Sequence, residues 1–450
     1  MKIQLINIIT IGAILLTAAV GHAQNKELTI DECYARAQQH YPLVKQYELI
    51  EKSEKYSLNN AAMAYIPQLS ISASATYQTD VTSFPQGIPG VTLPQLDKDQ
   101  YQAIAELTQI VWDSGAVRAK RNNIKAQSEV SRKEYEVEMY KLRDRINNLY
   151  FGILLIDNQI SRLDVLMTEL ASTYKRVENC IDNGVANESD LDIVEVEVIT
   201  ANQNKNNLEA LRNVYTRMLS AMIGEEDYKN VQLRRPEGYL PQSSAGSSAN
   251  KEHEPSSAMD DTISGQEYFL ENKRPELALF EARIKELESR RSFITAKNLP
   301  NIGLFVRAGY GRPGLNMFDT NFTTYAIGGI KLSWNISSLY TRRNEIRSID
   351  TGLKNIEVMK DTFIFNSDLS SGQQNAEIQK FQKIIEDDAR IIELRGKIRK
   401  SSENKLDNGT ISTSDLIREI TKEEIAVQDK IKHEIELLKS IYDLKNTLNN

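Results

Sequence analysis

The chain has 450 residues, 26% of them charged, and a net charge of −7. That mildly acidic balance excludes the basic surface a nucleic-acid binder needs, and the length admits one to three domains. The four histidines, His22, His40, His253 and His433, do not group with cysteines or carboxylates at metal-ligand spacing, and no phosphate loop, nucleotide fingerprint or nucleophile motif occurs. The expectation is a protein that is not an enzyme and uses no cofactor and no metal.

Residues 1–23 carry Lys2, an apolar run from Leu5 to Val20 and a small-residue stop at Gly21-His22-Ala23, the plan of a secretory signal peptide. The alternative, a short membrane anchor, meets an apolar run below the roughly 20 residues a span needs. After Ala23 no window of that length is free of charge, so no transmembrane helix is predicted. Cys33 and Cys180 lie far apart in sequence; export would allow a disulfide, but isolated thiols also serve as small, semi-buried residues.

Two kinds of segment then alternate. A helix over Pro42–Tyr65 starts on a proline and stops before one. Strands follow at about 68–81 and 99–113. In the first, Leu69, Ile71, Ala73, Ala75 and Tyr77 alternate with Ser70, Ser72, Ser74, Thr76 and Gln78, giving one apolar and one wet face. A long helix at about 115–181 carries Leu142, Ile146, Leu149, Ile153, Ile156, Ile160, Leu163, Met167, Leu170, Tyr174 and Val177. Steps of four and three alternate strictly, a coiled-coil seam. At 1.5 Å per residue that helix would run roughly 100 Å. A return helix occupies about 187–223, and 234–264 is a low-complexity segment between two halves.

The second half reads like the first: a helix over Pro275–Asn298, strands at about 301–312 and 322–335, a long helix at about 339–406 with a polar middle near Ser367–Asn375, and a return helix at about 412–448. Glu106 and Arg307 fall on the wet faces of their strands. The match is residue by residue. Tyr41-Pro42 corresponds to Arg274-Pro275 and Ile66-Pro67 to Leu299-Pro300, since 275 − 42 and 300 − 67 both give 233. Trp112-Asp113 corresponds to Trp334-Asn335 at a shift of 222, and Asp182-Asn183-Gly184 to Asp407-Asn408-Gly409 at a shift of 225. The mature chain is therefore two structural repeats, 24–233 and 265–450, joined by the low-complexity segment.

Strands of this length cross a thin bilayer when tilted. Four strands cannot close, and an open edge in lipid leaves backbone groups unsatisfied at several kcal/mol each. Either copies of the chain share a barrel, or the strands form a small soluble sheet on a coiled-coil rod. The aromatic residues near strand ends, Tyr77, Tyr101, Trp112, Tyr310, Phe322 and Trp334, suit a membrane girdle and also suit soluble strands.

The duplicated helix–strand-pair–long-helix–return order, the proline before each first strand and the Asn-Gly-(x)4-Ser-Asp-Leu turn at 183–191 and 408–416 resemble the TolC-like outer-membrane efflux factors over essentially the whole mature chain. The resemblance implies a mainly α fold with membrane β: a homotrimer whose four strands per chain make a twelve-stranded outer-membrane barrel, set on a long coiled-coil α-barrel in the periplasm. It implies a passive exit duct of a tripartite efflux pump, with a periplasmic adaptor and an inner-membrane transporter as partners and outer-membrane lipid around the barrel. The outer-membrane component of a type I protein secretion system is the alternative, and a non-pore periplasmic scaffold a more remote one. The tip, gate and adaptor-docking residues that carry over are Asn183, Gly184, Asp190, Leu191, Asn408, Gly409, Asp415 and Leu416, with Arg418 where the family carries an acid. Asn187 and Ser412 precede the two aspartates by three residues, so helix capping is an equally available role for both.

Overall fold

The protein is described here by a computed structural model covering residues 27–81, 97–184, 186–237, 272–316 and 319–449. The predicted signal sequence at 1–23, the loop at 84–96 and the low-complexity stretch at 242–264 lie outside the described residues. In chain order the elements are α1 (Ile30–His40), α2 (Val44–Ala62), β1 (Gln68–Tyr77), β2 (Asp99–Trp112), α3 (Ala116–Tyr140), α4 (Leu142–Asp182), α5 (Glu188–Ile223), α6 (Pro275–Lys297), β3 (Asn301–Arg312), β4 (Thr323–Ser333), α7 (Ser338–Asp407) and α8 (Thr413–Leu448).

They group into two compact units, and each unit draws on both halves of the sequence. One comprises Lys45–Val137 and Pro275–Ile364, and contains all four strands; the other comprises Met1–Val44, Glu138–Arg274 and Phe365–Asn450.

In the strand-bearing unit the sheet runs β1-β2-β3-β4, with every pair antiparallel. The central pairing, β2 with β3, joins the two sequence halves. A bulge between Ile110 and Trp112 shifts its register by one residue. Along β2, β3 and β4 side chains alternate between half-buried and exposed. The face with the half-buried side chains is termed the concave one and its opposite the convex one. The convex face is the apolar one: Leu69, Ile71, Ile330 and Leu332 stand 66%, 78%, 74% and 68% exposed. Helices of this unit pack elsewhere, around Ala61, Val117, Leu279, Phe280, Ile349 and Ile356, where the Phe280 and Phe363 rings meet at 5.9 Å.

In the other unit the predicted seam becomes core. Leu142, Ile146, Leu149, Ile153, Ile156, Leu163, Leu170 and Val177 are buried along α4. The end containing α1 gathers Cys33, Ile146, Tyr150, Phe151, Leu219 and Leu438 into one cluster, with the Tyr150 hydroxyl 2.8 Å from the Leu28 carbonyl and 2.6 Å from that of Arg234. Both cysteines are free, and burial pushes the Cys33 thiol up to about 12. Farther along α4 a second cluster joins it to α5, α7 and α8. A third sets Ile378, Phe381 and Ile385 of α7 on Leu437 and Ile441 of α8.

Two features differ from the sequence reading. The helix expected from 115 to 181 is divided at Lys141 into α3 and α4. The coiled-coil seam begins only at Leu142, and aromatic anchors fix both sides of the break: the Tyr140 hydroxyl donates to the Asn446 carbonyl at 2.6 Å, and the Arg143 guanidinium lies 4.8 Å from the Tyr140 ring and 5.4 Å from that of Tyr34. Helix α1 is additional. Its signal was present: Thr29 and Glu32 form a reciprocal capping box, a Thr-x-x-Glu pattern ahead of apolar residues.

Candidate functional site

Both Asn-Gly turns lie in the unit without strands, and both are built alike. Gly184 and Gly409 take φ of +72° and +65°, the left-handed region that closes a helix at little cost only for glycine. The Gly184 amide donates to the Ile181 carbonyl at 2.8 Å, and the Gly409 amide to that of Leu406 at 2.8 Å. At the second turn the Thr410 amide adds a bond to the Lys405 carbonyl at 2.9 Å, completing a Schellman motif. The asparagine before each glycine folds its amide back: Asn183 donates to the Asn179 carbonyl and Asn408 to the Asn404 carbonyl, each at 2.7 Å. Five carbonyls at the two helix ends thus take bonds from side chain and turn.

The aspartates cap the following helices. Asp190 accepts the Asn187 amide at 2.9 Å. Asp415 accepts the Ser412 amide at 3.3 Å and its hydroxyl at 2.8 Å, while the Ser412 hydroxyl accepts the Asp415 amide at 3.2 Å. These Ser412 bonds, side chain first, hold the Asp415 carboxyl below its ordinary range, with the Arg418 guanidinium at 3.4 Å adding to the effect. Arg418 itself is well exposed, so the pair is a screened surface contact rather than a buried bond. The carboxylate that could present a bare negative charge at this turn is already engaged.

The two leucines behave differently from the rest of the set. Leu416 is buried at 1% exposure and Leu191 half-buried, both in the cluster that holds Val177, Val194, Leu406 and Ile420. Both anchor the turns from inside, and Leu416 presents almost no surface. Asn183, Gly184, Asn408, Gly409, Asp190, Asp415 and Arg418 are the residues of the set that reach solvent or stand at the turns.

Ties between α4–α5 and α7–α8 went unrecognised in the sequence. Arg176 holds both oxygens of Asp407 at 3.2 Å, just ahead of the Asn408-Gly409 turn. Arg162 reaches the buried Glu424 at 2.7 Å. Arg399 lies 4.0 Å from Glu169 of α4 and 2.5 Å from Glu423 of α8. Their partners lie on different helices or in different halves, so no local spacing pairs them. Deeper in this unit the Tyr34 hydroxyl donates to Asn147, whose amide donates to Asp443 at 3.0 Å; burial, the largest influence, raises the Asp443 carboxyl.

On the sheet, Glu106 stands opposite Arg307 as the register requires, taking both Nε and Nη2 on one carboxylate oxygen at 2.9 and 2.6 Å. At one rim of the convex face Arg312 pairs with Asp97 and Asp99, its guanidinium near the Tyr101 and Phe322 rings, and Tyr310 stacks on Phe322 at 5.5 Å. At the opposite rim Trp112 and Trp334 are half-exposed, the Trp334 indole donating to the Asn298 carbonyl at 3.1 Å. Aromatic side chains therefore mark both ends of an apolar band. Among the described residues no helix is long and apolar enough to cross a membrane, and no group of His, Cys, Asp and Glu is placed to hold a metal ion.

A family model for outer membrane efflux proteins matches residues 33–225. Over 93% of this chain and 89% of that one, the fold is similar to the outer-membrane channel OprN, with a TM-score of 0.66 and 14% identity. The outer membrane protein VceC of Vibrio cholerae gives 0.62 at 13% identity over 93% of this chain and 94% of that one. The Campylobacter jejuni CmeC outer membrane channel gives 0.63 at 12% over 94% and 85%. No curated protein matches the sequence. The sequence pattern of outer membrane efflux proteins thus matches the first half of the chain, and the fold across both halves is similar to that of outer-membrane channels.

Proposed function

We propose that three copies of this chain form the outer-membrane exit duct of a tripartite efflux pump. The observation that carries this reading is the convex sheet face: large apolar side chains stand uncovered there, rimmed by aromatic residues, in a sheet whose outer strands β1 and β4 each have one unpaired edge. In water that face would be an aggregation site. In lipid it is the surface a barrel needs, and joining the edges of three sheets satisfies every backbone group. Strands of 10, 14, 12 and 11 residues suit a tilted crossing of a roughly 25 Å apolar band.

In the unit without strands, exposed apolar residues on α5 (Val196, Ile199, Val214 and Met218) and on α7 (Leu369, Ile391, Leu394 and Ile398) supply faces that neighbouring copies would cover. The helical part stands in the periplasm, and the duct conducts passively, receiving substrate from an inner-membrane transporter through a periplasmic adaptor. The turn residues Asn183, Gly184, Asp190, Asn408, Gly409, Asp415 and Arg418 form the closing tip and the adaptor's docking point, with Leu191 and Leu416 holding the turns in place.

The test is reconstitution into planar bilayers beside fractionation of cells. A duct is recovered with the outer membrane and passes ions in discrete steps. A protein found wholly in the aqueous periplasm, with no conductance, would overturn the reading. Loss of drug resistance in a deletion strain with protein secretion intact would favour efflux over secretion.

A further inference from the structure

The concave face of the sheet is not simply polar. The register aligns three rows across it: Ile104 with Gly309 and Tyr325, Glu106 with Arg307 and Ile327, and Thr108 with Phe305 and Gly329. Each ring lies against a glycine of the facing strand. A Cβ built on Gly309 would fall 2.2 Å from Cζ of Tyr325, and one on Gly329 would fall 3.1 Å from Cε1 of Phe305. A side chain at Gly309 would force the Tyr325 ring to move, and one at Gly329 would make the Phe305 ring give by a few tenths of an ångström. Each ring thus lies over the glycine of the facing strand, and both residues are half-buried on the concave face. The Gln102 amide donates to the Tyr325 hydroxyl and fixes that ring. Among the described residues, the charges in the row between the two rings are Glu106 and Arg307, which neutralise one another in a direct pair, while Lys331 lies one row beyond Phe305 on the same face.

Two rings laid over glycines, flanking isoleucines and a self-cancelled charge pair make a strip matched to an uncharged aromatic solute. A charged solute would gain nothing from a pair already satisfied, and would lose hydration beside the rings. We infer that Phe305 and Tyr325, flanked by Ile104 and Ile327, form an aromatic contact strip on the inner wall of the barrel that selects uncharged aromatic small molecules as they leave the duct. This rests on the barrel reading above, in which the concave face lines the lumen.

The test uses the full-length protein in lipid nanodiscs, with empty nanodiscs as the baseline. The probe is 4-fluorobenzyl alcohol and the non-aromatic control is 4,4-difluorocyclohexanol, both followed by fluorine relaxation. The wild type should broaden the aromatic probe well beyond the control. Removing both rings in F305S/Y325S should weaken apparent binding roughly tenfold or more, given what aromatic pairs contribute beyond buried area. Tyr325→Phe, which keeps the ring, should retain binding. If the serine double variant does not assemble, Phe305→Leu and Tyr325→Leu decide the matter, because they keep apolar bulk and remove only the π face. Leucine variants that bind like the wild type would overturn the aromatic strip. A wild type that conducts in bilayers yet binds both probes equally would overturn the strip and leave the duct standing. A wild type that does not conduct removes the barrel and the strip with it.

Discussion

Ile71 and Ser72 are adjacent on β1, both exposed, and on opposite faces of the sheet. If the sheet were soluble, arginine at either place would change stability by no more than about 0.5 kcal/mol. If the convex face meets lipid, the two positions part company. The apolar rows run from Tyr77 opposite Asp99 at one rim to Ile302 opposite Leu332 at the other. The row containing Ile71, Ala105, Ala308 and Ala326 falls midway, at the level of the bilayer centre. Arginine at that depth costs about 2–4 kcal/mol per chain. Summed over three independent sites, Ile71→Arg should destabilise the assembled barrel by about 6–12 kcal/mol, while Ser72→Arg, facing the lumen, stays near neutral. The assay is denaturant titration of the protein in lipid vesicles, following loss of the heat-resistant assembled form on gels. Equal tolerance of the two arginines would refute the lipid-facing assignment, whatever other property the protein kept.

Asp415→Ala removes the acceptor of the Ser412 amide and hydroxyl, so the closed tip should loosen and basal conductance rise in planar bilayers. Because the Asp415 carboxyl sits below its ordinary range in the folded protein, the stability it contributes is present above about pH 4 and is lost as pH falls through and below that value; conductance recorded from pH 7 to pH 3 should rise at the acid end, and less so in the alanine variant. Asp443 has the opposite sign: burial raises its carboxyl, so its ionised form opposes folding as pH rises, and Asp443→Asn should raise the melting temperature at pH 7 while keeping the bond from Asn147. Gly409→Ala, forced into φ +65°, should cost about 1–2 kcal/mol, read as faster amide exchange in the last turn of α7. Arg176→Gln removes the bidentate hold on Asp407 and should raise conductance more than Arg390→Gln, whose pair with Glu393 lies within one helix.

Much of this architecture was open to reading because its determinants are periodic or local. The alternation of four- and three-residue steps from Leu142 to Val177 became the buried stripe of α4, with only Tyr174 reaching 36% exposure. Period-two alternation on β1 separated its faces, and the Asn-Gly turns announced helix ends because only glycine takes that backbone cheaply. Other features depend on partners remote in sequence. The break at Lys141 is held by rings and a carbonyl that meet only in the folded unit. Phe305 and Tyr325 look like faults in a polar face until the register sets each against a glycine on the next strand. The charge ties from Arg162, Arg176 and Arg399 are silent in the sequence for the same reason. The compact units are likewise not the duplicated halves, because β2 of the first half pairs with β3 of the second and splits each repeat between them.

The central claim is that identical chains pool their strands into one closed barrel in lipid. Native mass spectrometry of the mature protein released from lipid nanodiscs measures this directly. The account predicts a particle of three chains, with no monomer surviving in the membrane-inserted fraction. A single chain stably inserted, or an assembly of two, would contradict it, since neither four strands nor eight of this tilt and length would complete the wall inferred from the fold.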